Sequence, residues 1–323
     1  MAIKTYEELS ARERALAAAL DLADGDPPSG PGRISATSVR GRRYRSYEQL
    51  FQVVHGVPLA RVSSVRLAFR TGSGTQTVCG VADVVTRPDA TRRGYARSLL
   101  RETHRRARKG GVRWSFLWTR RSWGAHRAYE LEGYRDVFSI PIAYRQVPPA
   151  SPRASPRREF TFRKARSNDA GRLEGLLRRS TAARVGFVPR EAGLFATRFR
   201  IRFRRPEDFW ILSRHRAVVG YAHLTKDEFD VACREAIVAD ERAGAAMIEA
   251  LERVAEGRWL SYTMTTFAPD HREALTDRGY LFLDRTHGVL MAAPLTPRAR
   301  AEWPEVERAA RDPAFSVHNG DMF

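Results

Sequence analysis

The chain has 323 residues, 43% of them hydrophobic and 10% aromatic, a composition that excludes a disordered protein and leaves room for two domains of ordinary size. Its 56 Lys and Arg against 37 Asp and Glu give a formal charge of +19, which favours an anionic partner: a phosphorylated cofactor, nucleic acid or an acidic surface. The two cysteines, Cys79 and Cys233, and the eight scattered histidines stand in no metal-ligand or redox spacing, so no metal site is expected.

The chain opens on "TYEELSARERALAAALDLAD" (5–24), whose periodicity and good helix formers predict a helix. The opening is charged throughout, unlike a signal peptide, and the apolar runs are far shorter than the roughly 20 residues of a membrane span. A cytoplasmic protein with no membrane partner is therefore expected. "GDPPSGPG" breaks the helix, and residues 30–60 carry no readable motif. "SVRLAFRT" and "QTVCGVADVVT" read as strands joined by "GSG", so Gly72 and Gly74 belong to a hairpin turn. "YARSLLRETHRRARKGG" is an amphipathic helix with Ala96, Leu99, Leu100 and Ala107 on one face and Gly110 at its end. A buried strand "VRWSFLWT", a short helix "GAHRAYELEG" and a closing strand "VFSIPIAYRQV" follow.

"VPPASPRASPRR" (147–158) is rich in proline and serine and divides the chain into a first domain, 1–146, and a second, 159–294. The second repeats the order of the first. "EFTFRKA" is a strand, "NDAGRLEGLLRRST" a helix capped by Asn168, and "DFWILSR" with "VVGYAHL" a hairpin. Then come "ACREAIVADERAGAAMIEALERVAEG", "WLSYTMTT", "HREALTDRGY" and "HGVLMAAPL". Residues 295–323 form a polar tail with one helix.

The most informative stretch is "TRPDATRRGYAR", where a strand gives way to a helix. The first N–H groups of a helix lack intrahelical acceptors, and the macrodipole adds positive potential there. Gly94 and Ala96 keep the turn free of bulk, and Arg92, Arg93 and Arg97 supply charge for bidentate contacts to phosphate. The spacing is neither GxxxxGK[ST] nor GxGxxG. A plain basic loop is the alternative.

These residues resemble the GNAT superfamily of acetyltransferases. Its signature, an apolar strand, a proline and [Q/R]xxGx[G/A] opening a helix, is matched by "VADVV", Pro88 and Gly94-Tyr95-Ala96, with Thr91 where Gln or Arg is expected. "HRAYELEGY" is similar to the family's helix ending in Tyr-x-x-x-Gly, with Tyr129 four residues before Gly133. In the second half Gly244 is retained, but Asp240 and Glu241 replace the arginines and Leu275 stands where the tyrosine would be. The resemblance thus implies an α/β fold with a mixed sheet and two tandem GNAT-like domains, the first competent for cofactor and the second degenerate. It is nearest to the enhanced-intracellular-survival type of amine acetyltransferase. Mycothiol synthases pair two such domains with the opposite polarity. No room remains for the sterol-carrier-like third domain of the intracellular-survival group, so that group's partners and oligomeric state are not carried over, and self-association stays open.

The resemblance implies acetyl-CoA as cofactor and direct attack of a primary amine, of a small molecule or of a protein. The diphosphate would sit at residues 92–97, and backbone N–H groups of Val84, Val85 and Thr86 would hold the thioester oxygen. Tyr129, a phenol with pKa of about 10, would protonate the departing thiolate. The carboxylate of Phe323 or the side chain of Asp83 would act as base, and His126 could relay a proton. Trp118 and Trp123 could wall a cationic acceptor. The alternative is a binding protein without catalysis, its arginine clusters at 40–45, 105–109, 153–158 and 198–205 forming a nucleic-acid surface; no binding motif supports it, and nucleic acid is the less favoured partner.

Overall fold

Local polar signals start the first helix. Ser10 accepts the N–H of Glu13 at 3.2 Å and the Glu13 carboxylate accepts the N–H of Ser10 at 2.7 Å, a reciprocal cap that opens α1 (Ala11–Ala17). The structure is a computed structural model and describes residues 1–23, 47–149, 159–186, 189, 193, 195–196, 208–263, 271–312 and 315. The helix expected from residue 5 is corrected: β1 (Ala2–Thr5) comes first, and α2 (Ala19–Ala23) follows α1 after a break. Lys4 and Glu13 tie β1 to α1 at 2.7 Å.

The remaining strands are β2 (Glu48–Val54), β3 (Val57–Thr71), β4 (Gly74–Thr86), β5 (Trp114–Thr119), β6 (Arg135–Gln146), β7 (Phe160–Lys164), β8 (Phe209–Arg214), β9 (Ala217–Lys226), β10 (Asp230–Val238), β11 (Trp259–Thr263) and β12 (Leu281–Pro294). The longer helices are α3 (Tyr95–Lys109), α4 (Gly124–Glu130), α5 (Ala170–Ser180), α6 (Glu241–Val254) and α7 (His271–Asp277), with α8 (Pro297–Ala301) and α9 (Trp303–Arg311) near the end. Gly72 and Gly74 turn the β3–β4 hairpin as expected, with Thr71 paired to Gly74. Asn168 does not cap α5. A 3₁₀ turn, Ser167–Asp169, precedes that helix, and Asp169 accepts the N–H of Arg166 at 2.8 Å.

One mixed sheet contains all twelve strands, in the order β1-β2-β3-β4-β5-β12-β6-β11-β10-β9-β8-β7. The two halves meet in its middle by exchanging their last strands. β6, from the first half, pairs with β11 of the second, while β12, from the second, inserts beside β5 of the first. β6 and β12 pair with each other as well. The repeat is structural: Gly133 (φ +88°) after α4 and Gly279 (φ +79°) after α7 make the same turn. In each the next N–H reaches back five residues, Tyr134 to Tyr129 at 3.1 Å and Tyr280 to Leu275 at 3.0 Å.

Helix α3 covers one face of the first half. Leu99, Leu100 and Ala107, at helical spacing, pack on Leu50, Ala60, Val62, Val81 and Leu117. Leu99 and Leu100 are fully buried, so each contributes about 2 kcal/mol of apolar transfer. The opposite face carries α1 and α2 against Phe51, Val53 and Val85, and α9 through Trp303 against Trp114 and Phe116. Among the described residues no helix is long and apolar enough to cross a membrane.

Candidate active site

The parallel strands β4 and β5 pair over three positions only, Cys79–Ser115, Gly80–Phe116 and Val81–Leu117. Beyond Val81 and Leu117 the ladder stops, leaving a fork between residues 82–86 and 118–119. Buried polar groups fasten its root. Ser115 Oγ donates to the Cys79 carbonyl at 3.2 Å and meets the Tyr134 hydroxyl at 2.7 Å, which meets His104 Nε2 at 2.9 Å. Ser115 has one proton and spends it on Cys79, so Tyr134 donates to Ser115 and the imidazole N–H donates to Tyr134. Burial lowers the pKa of His104 to about 4 and raises that of Tyr134 well above its usual value, so both are neutral at pH 7.

A bulge then re-aims β4. Ala82 faces Ser63 and Val85 faces Arg61, so Asp83 and Val84 together oppose the single residue Val62. Asp83 takes a left-handed φ of +46°. Val81 and Val84 pack on the α3 side, whereas Val85 packs on the α1–α2 side. Asp83 is exposed on that second side, its carboxylate 3.4 Å from the Tyr47 hydroxyl, which lies 3.0 Å from Ser63 Oγ. Arg87 N–H donates to Leu59 on β3 at 2.9 Å; by alternation Val85 N–H also faces β3, while the N–H groups of Val84 and Thr86 turn to the fork.

The glycine turn follows. A 3₁₀ turn, Pro88–Ala90, is closed by Thr91 Oγ1 donating to the Pro88 carbonyl at 3.1 Å. Arg92 (φ +62°) and Gly94 (φ +78°) then bend the chain into α3. Helix α3 has no side-chain cap and no acidic residue in its first turn, so neither its cap nor its own first turn sets a carboxylate before its leading N–H groups. A Cβ on Gly94 would meet nothing within 4 Å, so open space lies before the turn and the glycine is required by its φ. Arg92 and Arg93 are exposed, and Arg93 reaches the Asp89 carbonyl at 3.3 Å. Tyr95 and Ala96 are half-buried. Arg97 is engaged elsewhere: with Arg101 it grips the buried carboxylate of Glu132 at 2.7 and 2.8 Å.

Tyr129, on α4, is buried in the same cluster as Val81, Val84 and Leu117, on the α3 side of the fork. His126 is bound to Asp136 at 2.8 Å, which also takes Arg121 at 2.6 Å. Trp118 packs with Tyr47, Phe116 and Phe138 on the opposite side, and Trp123 is 54% exposed beneath Arg120. Phe323 lies outside the described residues, as do the arginine clusters 40–45, 153–158 and 198–205. In the remaining cluster, Arg105 and Arg106 are paired with Glu102, and Arg106 also with Glu48. Sequence reasoning missed Tyr47, Ser63, Glu132 and the His104–Tyr134–Ser115 chain. Of these, Glu132 and Tyr134 sat in the "HRAYELEGY" motif, as the third and fifth residues after Tyr129.

The corresponding place in the second half is closed. Asp240 caps α6 by accepting the N–H of Ala243 at 2.8 Å and is held by Arg214 at 2.9 Å. Leu275 fills the position of Tyr129 as a fully buried apolar residue.

Residues 58–135, which span the bulge, the turn, α3 and α4, match the acetyltransferase (GNAT) domain family. Over its length the chain has the fold of tandem GNAT proteins. It is similar to a probable N-acyltransferase from Enterococcus faecalis V583 at 14% identity, covering 93% of this chain and 74% of that one, with a TM-score of 0.68. Eis1 from Mycobacterium abscessus superposes at 14% identity and TM-score 0.57, over 91% of this chain and 74% of Eis1. A tandem GNAT protein from the clavulanic acid biosynthesis pathway does so at 12% identity and TM-score 0.52, over 92% of this chain and 99% of that protein. No curated protein sequence matches the chain.

Proposed function

We propose that the first half is an acetyl-CoA-dependent N-acetyltransferase acting on a primary amine. The observation that carries this reading is the uncapped, glycine-opened start of α3 beside the β4–β5 fork, with Arg92 at its lip. Acetyl-CoA supplies an activated acyl thioester when bound. The N–H groups of the first turn of α3, with Arg92 and Arg93, bind its diphosphate. Val84 and Thr86 present N–H groups to the carbonyl oxygen, where negative charge develops during attack. Tyr129 holds the proton that the departing sulfur needs. The second half keeps the fold without an open helix start, so one cofactor binds per chain.

Release of free thiol from acetyl-CoA in the presence of primary amines tests the reading. Amine-dependent thiol release by the wild type, falling about 100-fold in kcat in Tyr129→Phe, is expected. No thiol release together with no acetyl-CoA binding would contradict it.

A further inference from the structure

We propose that Asp83, Tyr47 and Trp118 receive the ammonium group of the acceptor, and that the acceptor is a primary amine with a single positive charge rather than a polyamine. The proposal rests on the acyl-transfer reading above and deepens it by assigning the class of acceptor.

The bulge places the carboxylate. In a regular strand side chains alternate, so Asp83 would share the α3 side with Val81. The extra residue in β4 puts it instead on the far side of the sheet, where the Tyr47 hydroxyl reaches it. Asp83 holds the bulge at a left-handed φ of +46°, a conformation that Asp tolerates better than most residues. Asp83 immediately precedes Val84, whose N–H faces the fork. An ammonium bound at Asp83 therefore lies one residue from the held acyl carbonyl, on the face opposite Tyr129. Acceptor and leaving group use opposite sides of the sheet.

Trp118 supplies the other wall. Leu117 pairs with Val81, so Trp118 is the first residue of β5 beyond the ladder and stands at the level of Ala82. It packs in the same apolar cluster as Tyr47, which sets both on the acceptor side. An aromatic ring beside a carboxylate is a favourable setting for a cation.

Charge accounting sets the number of cations. Other carboxylates of the first half already have partners: Asp21 is bound by Arg61 at 2.5 Å, Asp89 by Arg87 at 2.7 Å, and Asp136 by Arg121 and His126. Among the described residues no Lys or Arg pairs with Asp83, in a chain with 56 of them. One unpaired carboxylate takes one ammonium. Arg120, which follows the β5 arm of the fork in sequence, would repel further positive charge, and the Arg87–Asp89 pair after the β4 arm adds no net charge.

The balance is simple. The bound ammonium loses one proton to solvent and its nitrogen bonds to the acyl carbon; the nitrogen gives a second proton to solvent as the carbon–sulfur bond breaks, and the sulfur takes the Tyr129 proton, which solvent replaces, so one proton is released overall. Asp83 binds the ammonium and takes no part in the proton transfers.

The test is initial-rate kinetics with acetyl-CoA and two probes, monocationic tyramine and tricationic spermidine, alongside calorimetry of acetyl-CoA binding. Tyramine is expected to exceed spermidine at least about tenfold in kcat/KM. Asp83→Asn should raise the tyramine KM at least about tenfold, the loss of a charge-assisted contact, with kcat and acetyl-CoA affinity nearly unchanged. Asparagine tolerates left-handed φ well, so the variant keeps the bulge. Asp83→Glu should recover part of the loss. An unchanged tyramine KM in Asp83→Asn, a preference for spermidine, or acetyl-CoA binding with turnover of neither amine would overturn the subsite alone. Failure of the wild type to bind acetyl-CoA would overturn the functional reading itself.

Discussion

The carboxylate of Asp240 accepts the amide proton of Ala243 at 2.8 Å, filling from within the chain the space before α6. The equivalent helix, α3, opens on Gly94, which has no side chain to do so. The same strand–turn–helix unit is thus closed in one half and open in the other. Asp240→Ala should cost about 1 kcal/mol of stability, as loss of a helix cap does. It should leave acetyl-CoA stoichiometry at one per chain, because Glu241 still opposes an anion. Thermal melts and calorimetric titration check both.

The arginines at the turn divide by partner. Arg97 is bound to Glu132, whose side chain is 5% exposed, whereas Arg92 is exposed at the lip. Arg92→Ala should weaken acetyl-CoA binding about tenfold or more at unchanged stability. Arg97→Ala should change affinity much less. Calorimetry on the two variants separates them.

The buried His104 predicts an acid sensitivity. Its pKa is lowered to about 4 by burial, from near 6.5 in an unfolded chain. The unfolded state then binds the proton first as pH falls. The contribution is complete above about pH 6.5 and is lost as pH falls toward 4, by as much as ~3 kcal/mol. Denaturant melts between pH 7 and 4 should steepen accordingly, and His104→Gln should flatten that dependence.

The strand exchange makes the halves depend on each other. β6 finds its partners only in β11 and β12, both from the second half. Residues 1–149 expressed alone would leave β5 and β6 with unpaired edges and should not give a cooperative melt, while the full chain should. A cooperative transition from residues 1–149 would contradict this.

Local signals were legible where backbone chemistry is local. Gly94 and Gly133 could be placed from sequence because each needs a left-handed φ at a helix end. β2 could not, since "EQLFQVV" is buried on both faces and shows no alternation. Insertion of β12 beside β5 joins residues well over a hundred positions apart, which periodicity cannot report. The face of Asp83 was hidden for another reason. Alternation through "VADVV" assigns it to the α3 side, and only the pairing register reveals the bulge. Asn168 was misread because a 3₁₀ turn moved the start of α5 past it.

The most direct measurement is calorimetric titration of acetyl-CoA into the wild type, Gly94→Ala and Gly94→Glu. Alanine imposes the backbone strain of a side chain at φ +78° without charge, and glutamate adds a carboxylate in the open space before α3. The account predicts one site per chain in the wild type, modest weakening in the alanine variant and loss of binding in the glutamate variant. Equal binding by all three, or none by the wild type, would contradict it.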